Sequence, residues 1–134
     1  MRAAATFQVV AYDLVPVSPA PAIETALPVT VATMEKVFEG AVEGRSATLF
    51  TAAYGESTGT GTYVAMESFE GTIDGREGTM NFVHSATTSP AGRQAEFFAI
   101  VPGSGTAALS SIRGGGGIAI DEDGTHRIWL DYDL

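Results

Sequence analysis

Three ionisable side chains, Lys36, Glu67 and His84, each lie two residues from a phenylalanine in alternating apolar segments. In an extended strand, residues two apart point to the same face, so each polar group shares a face with a large apolar one. Carboxylates and imidazoles are common proton donors and acceptors in enzymes, and burial beside an opposite charge tunes their pKa values. We therefore expect Glu67 and His84 to perform general acid–base chemistry on a bound ligand, with Lys36 tuning the glutamate or holding an oxyanion.

The same three side chains also suit a purely structural role. A buried Lys–Glu pair with a neighbouring histidine forms a hydrogen-bonded network that fixes strand register at a cost in stability. Their common orientation requires uninterrupted strands, because a β-bulge would reverse the alternation. The pattern is therefore compatible with both an acid–base site and a structural network.

An internal repeat indicates the strands that position these residues. An eleven-residue passage, residues 38–48, returns as residues 69–79, with Phe, Gly and Val or Ile at alternate positions. This alternation is typical of a strand with one buried face. The Glu-Gly or Asp-Gly that follows suits a tight turn, because glycine accepts positive φ. The repeat predicts strand, turn and strand, used twice, with turns at Gly44 and Gly75.

The rest of the chain fits an all-β domain. Its 134 residues include 16 glycines and 6 prolines, and no apolar pattern keeps helical spacing for three turns. Short links favour antiparallel neighbours, so we predict a single domain over residues 1–134, an eight-stranded antiparallel β-barrel. A long Pro-rich loop, residues 14–28, is expected across one mouth. The predicted strands are 3–12, 29–43, 46–54, 60–74, 78–88, 93–101, 117–121 and 126–133.

Composition narrows the partners and cofactors. The net charge of −9 disfavours nucleic acid and anionic membranes, because binding to phosphates needs clustered Lys and Arg. There is no cysteine, hence no thiolate site, and we expect no metal site and no cofactor. No apolar run approaches the roughly 20 residues that span a bilayer. The first residues lack the apolar core of a signal peptide, so a cytoplasmic location is the default expectation.

Several motifs resemble those of a bacterial family of small uncharacterised proteins with an eight-stranded barrel related to allene oxide cyclase. The resemblance runs from about residue 29 to the end of the chain. The wider group of barrels also includes dirigent proteins and spiro-ring-forming cyclases of polyketide pathways. The resemblance implies a barrel that holds an apolar small molecule, and it supplies no activity. The matching motifs are Lys36-x-Phe38-x-Gly40-x-x-x-Gly44, Glu67-x-Phe69-x-Gly71-x-x-x-Gly75-Arg76, Phe82-x-His84, Val101-Pro102-Gly103-Ser104-Gly105-Thr106 and Leu130-Asp131-Tyr132-Asp133.

From this resemblance we expect a barrel that binds an apolar small molecule, acting as a cofactor-independent cyclase or isomerase. One alternative is a carrier barrel without catalysis, and another is a packed barrel whose outer face forms a homo-oligomer. Tyr54, Tyr63 and Trp129 are better suited to barrel packing or subunit contact than to a ligand wall. The residues expected to line the ligand site are Phe38, Phe69, Met80, Phe82, Tyr63, Trp129 and Tyr54.

Overall fold

The computed structural model describes residues 1–134 as eight antiparallel strands that close into a barrel. Neighbours in the chain are neighbours in the sheet, and the last strand pairs with the first. The predicted all-β, eight-stranded antiparallel barrel is confirmed. The only helix is a three-residue 3₁₀ turn, Ala107–Leu109, which is far too short to cross a membrane. The strands are β1 (Arg2–Val15), β2 (Val29–Gly40), β3 (Val42–Gly55), β4 (Thr60–Ile73), β5 (Arg76–Ser89), β6 (Gly92–Ile100), β7 (Arg113–Ile120) and β8 (His126–Asp133).

Alternation of apolar and polar residues forms these strands as the sequence predicted. In β4, every second residue from Gly61 to Phe69 is buried and the intervening ones are exposed. Several strands extend beyond their predicted ends, and β3 and β7 each begin four residues early, at Val42 rather than residue 46 and at Arg113 rather than residue 117. The glycines before residue 117 pair with β8, where the Trp129 ring leaves no room for a Cβ on Gly117.

The first copy of the repeat folds differently from the prediction. We predicted a strand over 29–43 and a turn at Gly44, but β2 ends at Gly40 and the chain turns immediately after it. Gly44 lies instead within β3, directly opposite Gly71 of β4. A Cβ on either glycine would collide with the backbone of the opposite strand, so both permit close strand approach. Only the second copy forms the predicted tight turn, at residues 74–75.

The barrel interior has two apolar clusters of unequal size. Sixteen buried residues, including Phe38, Phe69 and Phe82, pack one end. At the other end, Tyr63 packs with three alanines in a cluster of only four. The predicted polar residues lie between the two clusters along the same strands. The interior is therefore layered along the barrel axis.

Candidate functional site

The carboxylate of Glu67 lies at the centre of the polar layer. Its Oε2 accepts hydrogen bonds from Lys36 Nζ at 2.6 Å and from His84 Nε2 at 2.5 Å. Its Oε1 accepts one from Ser46 Oγ at 2.7 Å. The four residues come from four adjacent strands, β2 to β5, and all four are buried. The structure thus brings together the three polar residues singled out in the sequence and adds Ser46.

The hydrogen-bond chain continues from His84 to β6. Because the carboxylate of Glu67 is ionised, His84 Nε2 carries the proton, and Nδ1 of the neutral ring accepts from the hydroxyl of Tyr63 at 2.8 Å. The same hydroxyl accepts from Arg93 Nη2 at 2.8 Å. A continuous chain therefore connects a guanidinium near the barrel rim to a buried carboxylate.

Burial and charge set the protonation states of this chain. Burial raises the pKa of Glu67, but the hydrogen bond from His84 and the charge of Lys36 outweigh it and lower the pKa to about 2. Burial, with a further effect of the Lys36 charge, lowers the pKa of His84 despite the hydrogen bond to Glu67. Burial also raises the pKa of Tyr63, against the effect of Arg93. At neutral pH the layer therefore holds an ionised carboxylate, a neutral imidazole and a neutral phenol.

A cavity of about 890 Å³ opens on the alanine-rich side of the polar layer. Phe7, Tyr12 and Phe50 contribute to its apolar walls, and the end of the Pro-rich loop, residues 26–28, lines its rim. The Phe50 ring stacks on Tyr63 with ring centroids 5.0 Å apart. The polar side chains that face the cavity are Lys36, Tyr63, His84, Arg93, His126 and four others near the rim, Thr30, Glu56, Ser57 and Thr88.

Glu67 itself does not reach this cavity. Its relative exposure is 0%, and it lies beneath Lys36 and His84, which do line the cavity. A bound molecule would therefore contact Lys36, His84 and Tyr63 rather than the carboxylate. The geometry makes Glu67 a positioning residue that fixes the proton on His84 Nε2 and anchors the ammonium group.

The residues predicted to line a ligand site divide into three groups. Tyr54 and Tyr63 line the cavity. Trp129 packs against Gly117 and lines a separate cleft of about 110 Å³. The other four do not contact the cavity, because they are almost completely buried at the packed end of the barrel, and they are Phe38, Phe69, Met80 and Phe82.

Three polar residues near the site were not among the predicted site residues. His126 had a usable signal, because it shares the inward face of β8 with Ile128. Ser46 was hidden by the incorrect turn at Gly44. Arg93 had no signal, because a register shift between β5 and β6 interrupts the alternation that would reveal its orientation.

Comparison with known proteins gives a family and a fold. A model of the family described as "Protein of unknown function (DUF3224)" matches residues 3–132. No curated protein matches the sequence. A solved structure of a protein of unknown function from the DUF3224 family, from Shewanella oneidensis MR-1, has a TM-score of 0.81 and 23% identity. The match covers 100% of this chain and 97% of that chain, and at this identity it shows the fold alone.

Proposed function

The chain belongs to the DUF3224 family of proteins of unknown function, and from its interior we propose that it binds an apolar small molecule. The observation that carries this proposal is the cavity of about 890 Å³ above the polar layer. Cavities of roughly 300–1,000 Å³ with apolar walls and a few converging polar groups are typical ligand sites. A cavity of this size does not support the alternative of a completely packed barrel.

Titration with the neutral fluorescent probe N-phenyl-1-naphthylamine tests this proposal. We expect saturable binding of one probe per chain, with micromolar affinity. Met34→Trp, which adds volume to a residue that lines the cavity, should weaken binding about tenfold. The matched control is Leu49→Trp on β3, because Leu49 is 60% exposed and does not line the cavity. Absence of saturable binding, or equal weakening by both variants, would overturn the proposal.

The contact between Tyr63 and His84 favours a second function, cofactor-independent isomerisation or cyclisation of the bound molecule. The neutral imidazole has a lone pair at Nδ1 and the neutral phenol has a proton, and both residues line the cavity. If the Tyr63 hydroxyl turns from Nδ1 to a ligand carbonyl oxygen, the freed Nδ1 can take a proton from the adjacent carbon while the phenol protonates the oxygen, which converts a ketone to its enol. The imidazolium then returns its proton to the phenolate, which restores both groups. Lys36 would stabilise negative charge that develops on the ligand oxygen.

Exchange of solvent deuterium into 2-decanone tests this second function. Wild-type protein should accelerate incorporation at the carbons beside the carbonyl. Tyr63→Phe should abolish the acceleration, because it removes the phenolic proton, while probe binding is retained. If wild type and Tyr63→Phe give the same exchange rate, the catalytic function is wrong and only the binding function remains.

A further inference from the structure

The charged groups around the cavity have the opposite balance from the chain as a whole. The chain has 16 Asp and Glu against 7 Lys and Arg, and only 2 histidines. The cavity is nevertheless lined by Lys36, Arg93 and both histidines, with Glu56 as its only acidic residue. Two of the seven Lys and Arg side chains and both histidines therefore line one apolar cavity that has a single acidic residue, a lining that suits an anionic ligand group.

Lys36 has unused hydrogen-bonding capacity at this site. An ammonium group has three N–H donors, but the only protein acceptor of Lys36 Nζ is Glu67 Oε2. The Lys36 side chain is only 5% exposed, and on one side its Nζ lies 5.0 Å from the centre of the Phe7 ring. Leaving buried donors without acceptors costs free energy. A ligand oxygen in the cavity would accept a hydrogen bond from one of the two remaining N–H groups of Lys36.

His126 lies on β8 opposite Phe7 of β1 and also lines the cavity. Its ring is 5.1 Å from the Phe7 ring, the same ring that Lys36 approaches, and neither of its nitrogens has a hydrogen-bond partner in the protein. Burial, followed by the positive charges of Lys36 and Arg93, lowers the pKa of His126. Two separate cations therefore act on one unpartnered imidazole that lines the cavity.

We propose that the bound molecule carries one carboxylate, which lies between Lys36 and His126 with its apolar part against the aromatic walls. This inference rests on the proposed binding function and adds the chemical class of the ligand. A single negative charge fits better than a phosphate dianion, because Glu67 already pairs with Lys36 and Glu96 with Arg93. The proton that His126 takes up is then the one charge left to balance the ligand. The carboxylate would supply acceptors to Lys36 Nζ and to a protonated His126.

Displacement of the neutral probe by decanoate and by decan-1-ol tests the carboxylate. The two molecules have chains of equal length and differ in their polar end. We expect decanoate to bind at least about tenfold more tightly at pH 7, because hydrogen bonds to charged groups are stronger than neutral ones. Equal affinities would overturn the carboxylate site and leave the binding function intact. Failure of the probe itself to bind would overturn the binding function.

A double variant tests the role of Lys36 without leaving a buried charge unpaired. Lys36→Met with Glu67→Gln removes both partners of the buried ion pair and keeps the net charge. The preference for decanoate over decan-1-ol should be lost. The matched control is Arg45→Met with Glu70→Gln, an exposed ion pair with the same change of charges, which should keep the preference. A preference that persists in the buried double variant would contradict the proposal.

Proton uptake gives an independent test of His126. Decanoate binding should draw a proton onto the imidazole near pH 6.5, because the ligand charge opposes that of Lys36 and Arg93. Calorimetric titrations in buffers of different ionisation enthalpy measure this uptake. Decan-1-ol should cause none, and His126→Gln should abolish the uptake that accompanies decanoate binding. Equal uptake by wild type and His126→Gln would overturn the placement of the carboxylate beside His126.

Discussion

The two ends of the barrel interior are built by the same strands but filled to different extents. Along β4 and β5, the inward residue is first a phenylalanine, then an ionisable residue, then an alanine. Because the strands continue through all three layers, side-chain volume rather than backbone geometry decides where the cavity begins. The inward residues in this order are Phe69, Glu67 and Ala65 on β4, and Phe82, His84 and Ala86 on β5.

The polar layer separates these two ends and belongs to both. The packed end covers it with apolar side chains, so its charges are desolvated and depend on one another. The cavity end leaves Lys36 and His84 accessible to a bound molecule. Lys36 and His84 therefore affect both the stability of the fold and the chemistry of the cavity. Variants can separate these two contributions.

The largest expected difference in stability is between two phenylalanine variants, one at the packed end of the barrel and one at the cavity end. Phe69→Ala should lower the free energy of unfolding by about 3–5 kcal/mol, because Phe69 is 2% exposed and packs edge-on against Phe38. Phe50→Ala should cost roughly 1–2 kcal/mol, because one side of Phe50 already faces the cavity and has fewer contacts to lose. Urea unfolding of both variants measures the difference. Equal losses would show that the two ends are equally packed.

The sequence predicted the polar layer and the packed end of the barrel better than it predicted the cavity. Uninterrupted alternation through β4 and β5 was enough to place Glu67 and His84 on one face. The closeness of Gly44 to Gly71 depends on two strands at once, so a single strand pattern was misread as a turn. The depth of the cavity depends on the volumes of inward side chains from all eight strands. It therefore cannot be predicted from the pattern of one strand.

The next effect separates the charges of the polar layer from its packing. Glu67→Gln should lower the free energy of unfolding by about 3 kcal/mol, because the buried ammonium of Lys36 loses its counter-charge. Thermal unfolding should show this as a drop of roughly 10 °C. Adding Lys36→Met should restore most of the loss, since no buried charge then remains unpaired. A double variant as unstable as Glu67→Gln alone would show that the carboxylate acts through shape rather than charge.

Acid should weaken the polar layer in two stages. Because the pKa of His84 is lowered in the folded protein, the unfolded state binds the proton more readily, and stability falls as pH drops through the ordinary value of 6.5. The pKa of Glu67 falls from 4.5 to about 2, so its contribution is complete above pH 4.5 and is lost below it. That second loss should reach about 2 kcal/mol by pH 3.

Urea unfolding between pH 7 and pH 3 measures both stages. The variant with Lys36→Met and Glu67→Gln is the control, because it retains His84 but lacks the carboxylate. It should lose stability below pH 6.5 yet show a smaller loss between pH 4.5 and pH 3 than the wild type. Identical curves below pH 4.5 would mean that other carboxylates cause the acid sensitivity.

The smallest effect on stability is expected at the cavity rim, in the Pro-rich loop. Leu27 lines the cavity and packs beside Gly55, yet it is 37% exposed, so Leu27→Ala should cost about 1 kcal/mol or less. Release of N-phenyl-1-naphthylamine should nevertheless become severalfold faster in stopped-flow measurements, because the rim loses an apolar contact with the bound probe. Ile23→Ala in the same loop is the control, since Ile23 is 75% exposed and does not line the cavity. Equal acceleration by both variants would mean that the loop acts through its overall mobility, whereas an effect confined to Leu27 would make this side chain part of the cavity wall.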